Sequence, residues 1–400
     1  MSIYHSEQNL ILSALSSALF RRPVQTGEQV DWNLLFREAS CQTVFPLVWS
    51  AVRGQVPKEV KAEWEALFLQ SLAANARVIS AHSYVHKLLL EHNIPCVMMK
   101  GCASARYYPK PQLRTMGDVD FLVRRGDVER CSEILESAGM TRRDDDDHPY
   151  HRNYWYQKVT YELHWEAPGI PSVGGERIRE YFMDIQEKAI LVDNAYAVPS
   201  DLHHGLILLL HNAGHMTAGG IGLRHLCDWA VYMERMTDDF VENELAPCLK
   251  ACGLWEYARV LTAMGARFLG ATERAWASDL DEGLLMSLMD DIWAGGNFGY
   301  KDAHRLNLRV LSRNTESRKI ERRGVLPSLM SEVHLKAKKW YPALMKVPLT
   351  VPLAWGAVSF RYMKKLVSGR RAMIRPKDAR TAKMRRELFE QLKLFEGDAH

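Results

Sequence analysis

The chain has 400 residues, 47% of them hydrophobic and 25% charged, with a net charge of +4. These are ordinary globular values, enough for two or three domains with sizeable cores, and they exclude a disordered or fibrous protein. Seven cysteines, odd in number and scattered, argue against a disulfide framework. Met1–Leu10 lacks the basic and apolar regions of a signal peptide, so a reducing cytoplasm is expected.

Residues 5–20 and 30–52 place apolar side chains such as Leu34, Leu35, Val44, Leu47 and Val48 at helical spacing. Residues 60–93 continue the pattern and close on Glu91-His92-Asn93, a helix-end signature. Ile94-Pro95-Cys96-Val97-Met98-Met99 then reads as a strand that runs into Lys100-Gly101. The helix-forming stretch Cys102–Tyr108 follows, Pro109 and Pro111 end it, and Arg114 leads into a second strand. A glycine between strand and helix lets backbone N–H groups approach an anion at the helix start. Lys100 and Arg114 can add a point charge and a forked contact to a triphosphate. Their structural alternatives are a solvated strand end for Lys100 and an ion pair with Asp118 for Arg114.

The second strand, Met116–Val123, carries Asp118 and Asp120 on an otherwise apolar run. Side chains two apart on a strand share a face, with Cα atoms roughly 6.5 Å apart. Two carboxylates so placed repel each other and call for a cation. Mg²⁺ is held by one or two carboxylates plus substrate phosphates, and a pair of ions can flank a phosphoryl displacement. The bland alternative is two solvated aspartates leaving a turn. Gly126–Gly139 reads as a helix, and Asp144–Asp147 as an exposed acidic turn. In Val159–Glu166 the apolar face is Val159, Tyr161, Leu163 and Trp165, and the polar face is Glu162, His164 and Glu166. If this strand neighbours the Asp118 strand, Glu162 completes a carboxylate triad, as a metal ligand or as a base toward an acceptor hydroxyl. Otherwise it is the polar face of an edge strand. His164 can orient Glu162 or a phosphate.

Strand, Lys-Gly, helix, Tyr-Pro, Arg, Asp-x-Asp and a later acid-Leu-His-Trp together resemble the uncharacterised nucleotidyltransferase family of the polymerase-beta-like superfamily. The likeness spans roughly residues 30–235 and is sharpest over 98–123 and 161–165. It implies a small mixed sheet flanked by helices, and transfer of a nucleoside monophosphate from an NTP to an acceptor with release of pyrophosphate. By this likeness Asp118 and Asp120 are metal ligands and Glu162 is the third carboxylate. The chain departs from the superfamily in carrying Lys100-Gly101-Cys102 where Gly-Ser or Gly-Gly is usual, and Glu where the third acid is usually Asp. Family members often look like accessory enzymes of surface-polysaccharide or peptide natural-product pathways.

Residues 201–233 read as two more helices, with His211 and His215 on one face. A catalytic zinc wants a third protein ligand, and the H-E-x-x-H pattern of metalloproteases is missing. Arg224 and Asp228, also four apart, can pair. Cys248 and Cys252 lack a second ligand pair and read as helix core. Residues 301–400 hold 24 Lys and Arg against 9 Asp and Glu, so a strongly basic segment follows an acidic body. Tyr341–Phe360 is apolar but broken by Pro342, Lys346, Pro348 and Pro352, too interrupted for a confident membrane-spanning helix. With its basic flanks it can lie on an anionic membrane surface or a polyanion, or simply pack on the body.

The expected fold class is α+β: a small mixed-sheet nucleotidyltransferase-like core embedded in helical N- and C-terminal regions. Its divisions are a helical region 1–85, the core 86–200, a helical region 201–300 and a basic, mostly helical region 301–400. The expected activity is Mg²⁺-dependent transfer of NMP, with two ions, from an NTP to an acceptor hydroxyl or phosphate. Asp118, Asp120 and Glu162 would be catalytic and metal-holding; Lys100, Gly101, Arg114 and His164 would contact the nucleotide. The competing reading is a non-catalytic nucleotide sensor or scaffold with a basic tail. Nucleic acid is disfavoured, because the body is acidic and the tail lacks interleaved aromatics. Peripheral contact with the inner membrane surface or a polyanion falls to residues 336–386.

Overall fold

The computed structural model describes residues 4–25, 29–143, 150–171, 174–302, 304–305, 325–367 and 376–396. Four helices come first: α1 (Ser6–Phe20), α2 (Trp32–Cys41), α3 (Phe45–Val52) and α4 (Lys58–Glu91). Their starts follow local chemistry. The Asp31 carboxylate accepts the Leu34 N–H at the head of α2, and Pro46 sits in the first turn of α3, where no N–H is needed. The predicted stop after Glu91 is present: Asn93 takes a φ of 57° and turns the chain into Ile94.

The sheet elements follow in the order β1 (Val97–Met99), α5 (Gly101–Ala105), β2 (Asp118–Leu122), α6 (Val128–Ser137), β3 (Thr141–Arg143), β4 (His151–Tyr156) and β5 (Val159–His164). Then come α7 (Glu176–Glu180), the hairpin β6 (Ile190–Val192) and β7 (Tyr196–Val198), α8 (Asp201–Met216) and α9 (Leu223–Arg235). Further helices include Trp255–Met264, Glu282–Gly295, Val325–Trp340, Val351–Val367 and Pro376–Gln391. The five-stranded sheet runs β1-β2-β5-β4-β3. Among the described residues only β2 and β5 pair in parallel, so the sheet is mixed and the fold is α+β, as the sequence predicts. The Asp144–Asp147 run lies outside the described residues.

The two sheet faces meet different surroundings. Met98, Val119, Phe121, Val159, Tyr161 and Leu163 are buried in one cluster with Val78, Val85 and Leu89 of α4 and Cys131 and Leu135 of α6. On the other face, Val97, Met99 and Leu122 join the larger helical core, which includes Leu206–Leu210 of α8 and Leu226 and Trp229 of α9. Asp118 and Asp120 alternate with Val119 and Phe121, so they belong to this second face. The acidic residues are thereby enclosed between the sheet and the helical body.

β5 follows β4 through Gln157-Lys158, both at positive φ (47° and 63°), as a two-residue primed hairpin turn requires. Neither residue is a usual turn former, and sequence pattern alone does not disclose this hairpin.

Candidate active site

The parallel register of β2 and β5 sets Asp120 opposite Glu162 and Asp118 opposite Thr160. Oxygen atoms of Asp118, Asp120 and Glu162 lie within 4.8 Å of one another. The Lys100 ammonium lies 2.5 Å from Asp120 Oδ1. His164 sits between the acids, with Nε2 3.1 Å from Asp120 Oδ1 and 3.2 Å from Glu162 Oε2. Asp118, Asp120, Glu162, Lys100 and His164 therefore form one group, while Gly101 adjoins it at the head of α5.

The electrostatics follow from burial and crowding. Burial pushes the Asp118 carboxyl up, and the neighbouring Asp120 charge adds to this; Lys100 and Arg224 offset part of it. Burial acts the same way on Glu162, but the His164 hydrogen bond and the Lys100 charge outweigh it, so the group stays below its usual range. For Lys100 burial is opposed mainly by Asp120, which holds the ammonium in its charged form. His164 is likewise raised, because its bonds to Asp120 and Glu162 exceed the burial penalty. Three acids beside Lys100 and His164 leave a site suited to further positive charge.

The backbone at the head of α5 is strained. Lys100 has φ 49° and ψ −142°, a region a side chain rarely adopts, and Gly101 follows at φ 33°. A Cβ on Gly101 would also stand 3.1 Å from His82 Nε2. His82 is buried and donates from Nδ1 to Val78 O at 2.7 Å, which leaves the bare Nε2 facing Gly101. The turn that brings Lys100 to Asp120 thus depends on glycine. Asn75 of α4 holds the approach to β2 from the other side: its Nδ2 donates to Gln112 O at 2.8 Å, and its Oδ1 accepts the Met116 N–H at 3.0 Å. Neither His82 nor Asn75 stands out in the sequence, since each lies within a long helical pattern.

Arg114 is placed differently from its neighbours in sequence. Its Nε and Nη2 donate to the two oxygens of Asp228, both at 2.7 Å, and the Tyr108 hydroxyl donates to Asp228 Oδ1 at 2.6 Å. The pairing of Asp228 with Arg224, suggested by their spacing, gives way to this forked bond, which ties the loop before β2 to α9. Arg224 instead donates from Nη1 to Thr115 O at 3.3 Å. His211 and His215 do gain a third histidine, His225 of α9; ligand atoms of the three lie within 4.8 Å of one another.

Residues 28–270 match the uncharacterised nucleotidyltransferase family, more than half of the chain, and the protein belongs to that family. The matched span holds the whole five-stranded sheet, the three acids, and the helices α8 and α9. The chain matches none of the curated proteins.

The buried Arg114–Asp228 pair yields a direct expectation. Removing one partner of a buried, doubly hydrogen-bonded ion pair leaves the other charge uncompensated, at a cost of about 3–5 kcal/mol. Asp228→Asn should lower unfolding stability by that order in urea titration, whereas a loss under about 1 kcal/mol would show the pair to be dispensable.

Proposed function

We propose that the protein is a Mg²⁺-dependent nucleotidyltransferase that moves NMP from an NTP to an acceptor hydroxyl or phosphate and releases pyrophosphate. The observation that carries this reading is the convergence of Asp118, Asp120 and Glu162 across the β2–β5 pairing. Membership of the family supports it. The donor set is chemically apt for Mg²⁺: hard carboxylate oxygens, crowded and partly buried, with Asp118 raised by burial and by its neighbour's charge. Asp118 and Asp120, with Glu162, would hold the ions, which when bound offset charge on the phosphates and on the entering and leaving oxygens.

The protein's own groups have distinct parts. Lys100, held beside Asp120 by the strained turn, supplies fixed positive charge toward the triphosphate. Gly101 admits the phosphate tail close to the backbone. His164 fixes the carboxylates of Asp120 and Glu162 by bonding both. Glu162 completes the metal set or takes the proton of an acceptor hydroxyl. Arg114 acts through Asp228 and through its charge near Asp118. Catalysis on this plan is positioning and charge stabilisation. The acceptor class proposed is a sugar or other small molecule, as in surface-polysaccharide or natural-product assembly, in the cytoplasm.

A specific observation favours one further contact. Among the described residues no helix is long and apolar enough to cross a membrane. Yet Val351–Val367 exposes Leu353 (65%), Phe360 (69%) and Met363 (62%), spaced seven and three apart on one face, with Leu349 (89%) just before it. Residues 336–386 carry fifteen Lys and Arg against one acid, Asp378. An apolar stripe in a basic segment fits peripheral attachment to an anionic bilayer.

In turnover assays with each of the four NTPs and Mg²⁺, wild type should release pyrophosphate. Asp120→Asn should lose at least about a thousandfold, given the several kcal/mol a metal ligand supplies. Retained turnover in a folded Asp120→Asn protein would overturn the assignment. Metal-independent NTP binding without turnover would favour a nucleotide sensor instead. For the tail, wild type should sediment with phosphatidylserine vesicles and not with neutral ones, and Leu353→Asp with Phe360→Asp should abolish this. Equal binding by the double variant would remove the membrane reading.

A further inference from the structure

Facing the sheet is a wall built from α8, α9 and the Gly296–Gly299 turn. His211 and His215 project from α8, with their Nε2 atoms 2.8 Å apart. Arg224 and His225 stand in the first turn of α9. Phe298 lies beneath them, its ring centroid 4.4 Å from that of His215 and 5.3 Å from that of His225, and 5.5 Å from the Arg224 guanidinium carbon. Phe298 itself has φ 58°, a conformation that bulky residues avoid. Gly222 lets the turn and α9 approach: a Cβ there would meet Asn297 Cα at 2.9 Å. The wall is therefore a built arrangement and not a solvated surface.

Its hydrogen bonding is incomplete in one direction. The Gly222 N–H donates to His225 Nδ1 at 3.1 Å, so Nδ1 holds a lone pair and the neutral ring carries its proton on Nε2. That Nε2–H is buried and has no acceptor, and the adjacent Arg224 Nε–H is buried and unmet as well. Among the described residues no carboxylate pairs with Arg224. Two unmet donors on neighbouring residues, one cationic, carry a burial penalty that an acceptor would remove. Burial holds the His211 and His225 imidazoles well below their usual range, and positive charge adds to it: Lys100 and Arg224 act on His211, and Arg224 and Arg114 on His225.

The three histidines invite a metal reading, but the positive field and the His225 tautomer oppose it. A ligating Nε2 must offer a lone pair, and here Nε2 carries the hydrogen. We infer that Arg224 and His225, with His211 and His215 beside them, form an anion subsite that receives a phosphate group on the Asp118 side of the carboxylates. The phosphate comes from the NTP tail or from a phosphorylated acceptor; that assignment of source rests on the nucleotidyl-transfer reading, whereas the anion site does not. Arg224 is the principal contact and His225 the orienting donor.

Titration calorimetry without divalent metal tests this, using inorganic triphosphate, orthophosphate and NTP on the full chain. Wild type should bind an inorganic phosphate anion, and Arg224→Gln should weaken it about tenfold to a hundredfold, as loss of a charge-assisted hydrogen bond implies. A parallel loss for NTP assigns the subsite to the nucleotide tail. Unchanged NTP affinity with lost orthophosphate binding assigns it to the acceptor. If Arg224→Gln does not fold, Arg224→Lys keeps the charge without the fork and should lose roughly threefold to tenfold. Unchanged anion affinity in a folded variant overturns the proposal. So does stoichiometric Zn²⁺ binding that His211→Ala and His225→Ala each abolish, which would make the cluster a metal site. Because these readings need neither Mg²⁺ nor turnover, they stand or fall apart from the NMP-transfer assay.

Discussion

The parallel pairing of β2 with β5 is the constraint on which the site depends. It sets Asp120 opposite Glu162 in one register, and a slip of one residue would turn either acid to the apolar face packed on α4. Like charges are forced together, and the protein answers locally with the Lys100 ammonium and the His164 imidazole. Both answers have structural costs. Lys100 reaches Asp120 only through two successive residues at positive φ, and His164 is buried with Nδ1 unmet. Such strain persists where the surroundings over-determine it, and here β1, α4 and β2 all bear on the turn.

The sheet alone does not enclose the site. Arg114, just before β2, is bound by Asp228 of α9, and Tyr108 joins the same carboxylate. This fixes the approach to the acidic strand against the helical body and brings Arg224 near Thr115 and Asp118. The result sets acids on the sheet side against two unmet donors on the helix side, the cationic Arg224 Nε–H and the neutral His225 Nε2–H. A nucleotide carries the complementary arrangement: phosphates that need positive charge, and a reacting phosphorus that needs metal held by carboxylates.

Much of this is legible in the chain because it is local. The i, i+2 acids of β2 and the alternation of β5 each fix a face from a few residues, and Glu91-His92-Asn93 marks a helix end where it falls. What the sequence hides is non-local or chemically quiet. The β4–β5 hairpin turns on Gln157-Lys158, which carry no Asn-Gly signal. Asp228 looks like a partner for Arg224 one turn away, yet it binds Arg114, more than a hundred residues earlier. His225 joins His211 and His215 only because the glycine-bearing link between α8 and α9 folds one helix against the other. Asn75 and His82 read as ordinary positions of a long helix until the approach to β2 is seen against them.

Asp118, Asp120 and Glu162 are proposed to form a divalent-cation site that works with a nucleotide. The most direct measurement is Mn²⁺ binding by electron paramagnetic resonance, with and without a non-hydrolysable NTP analogue, in wild type and in Asp118→Asn. Wild type should bind Mn²⁺ weakly, and more tightly when the analogue is added, and the variant should lose both signals. Mn²⁺ binding that ignores the analogue, or that survives Asp118→Asn unchanged, would contradict the proposal.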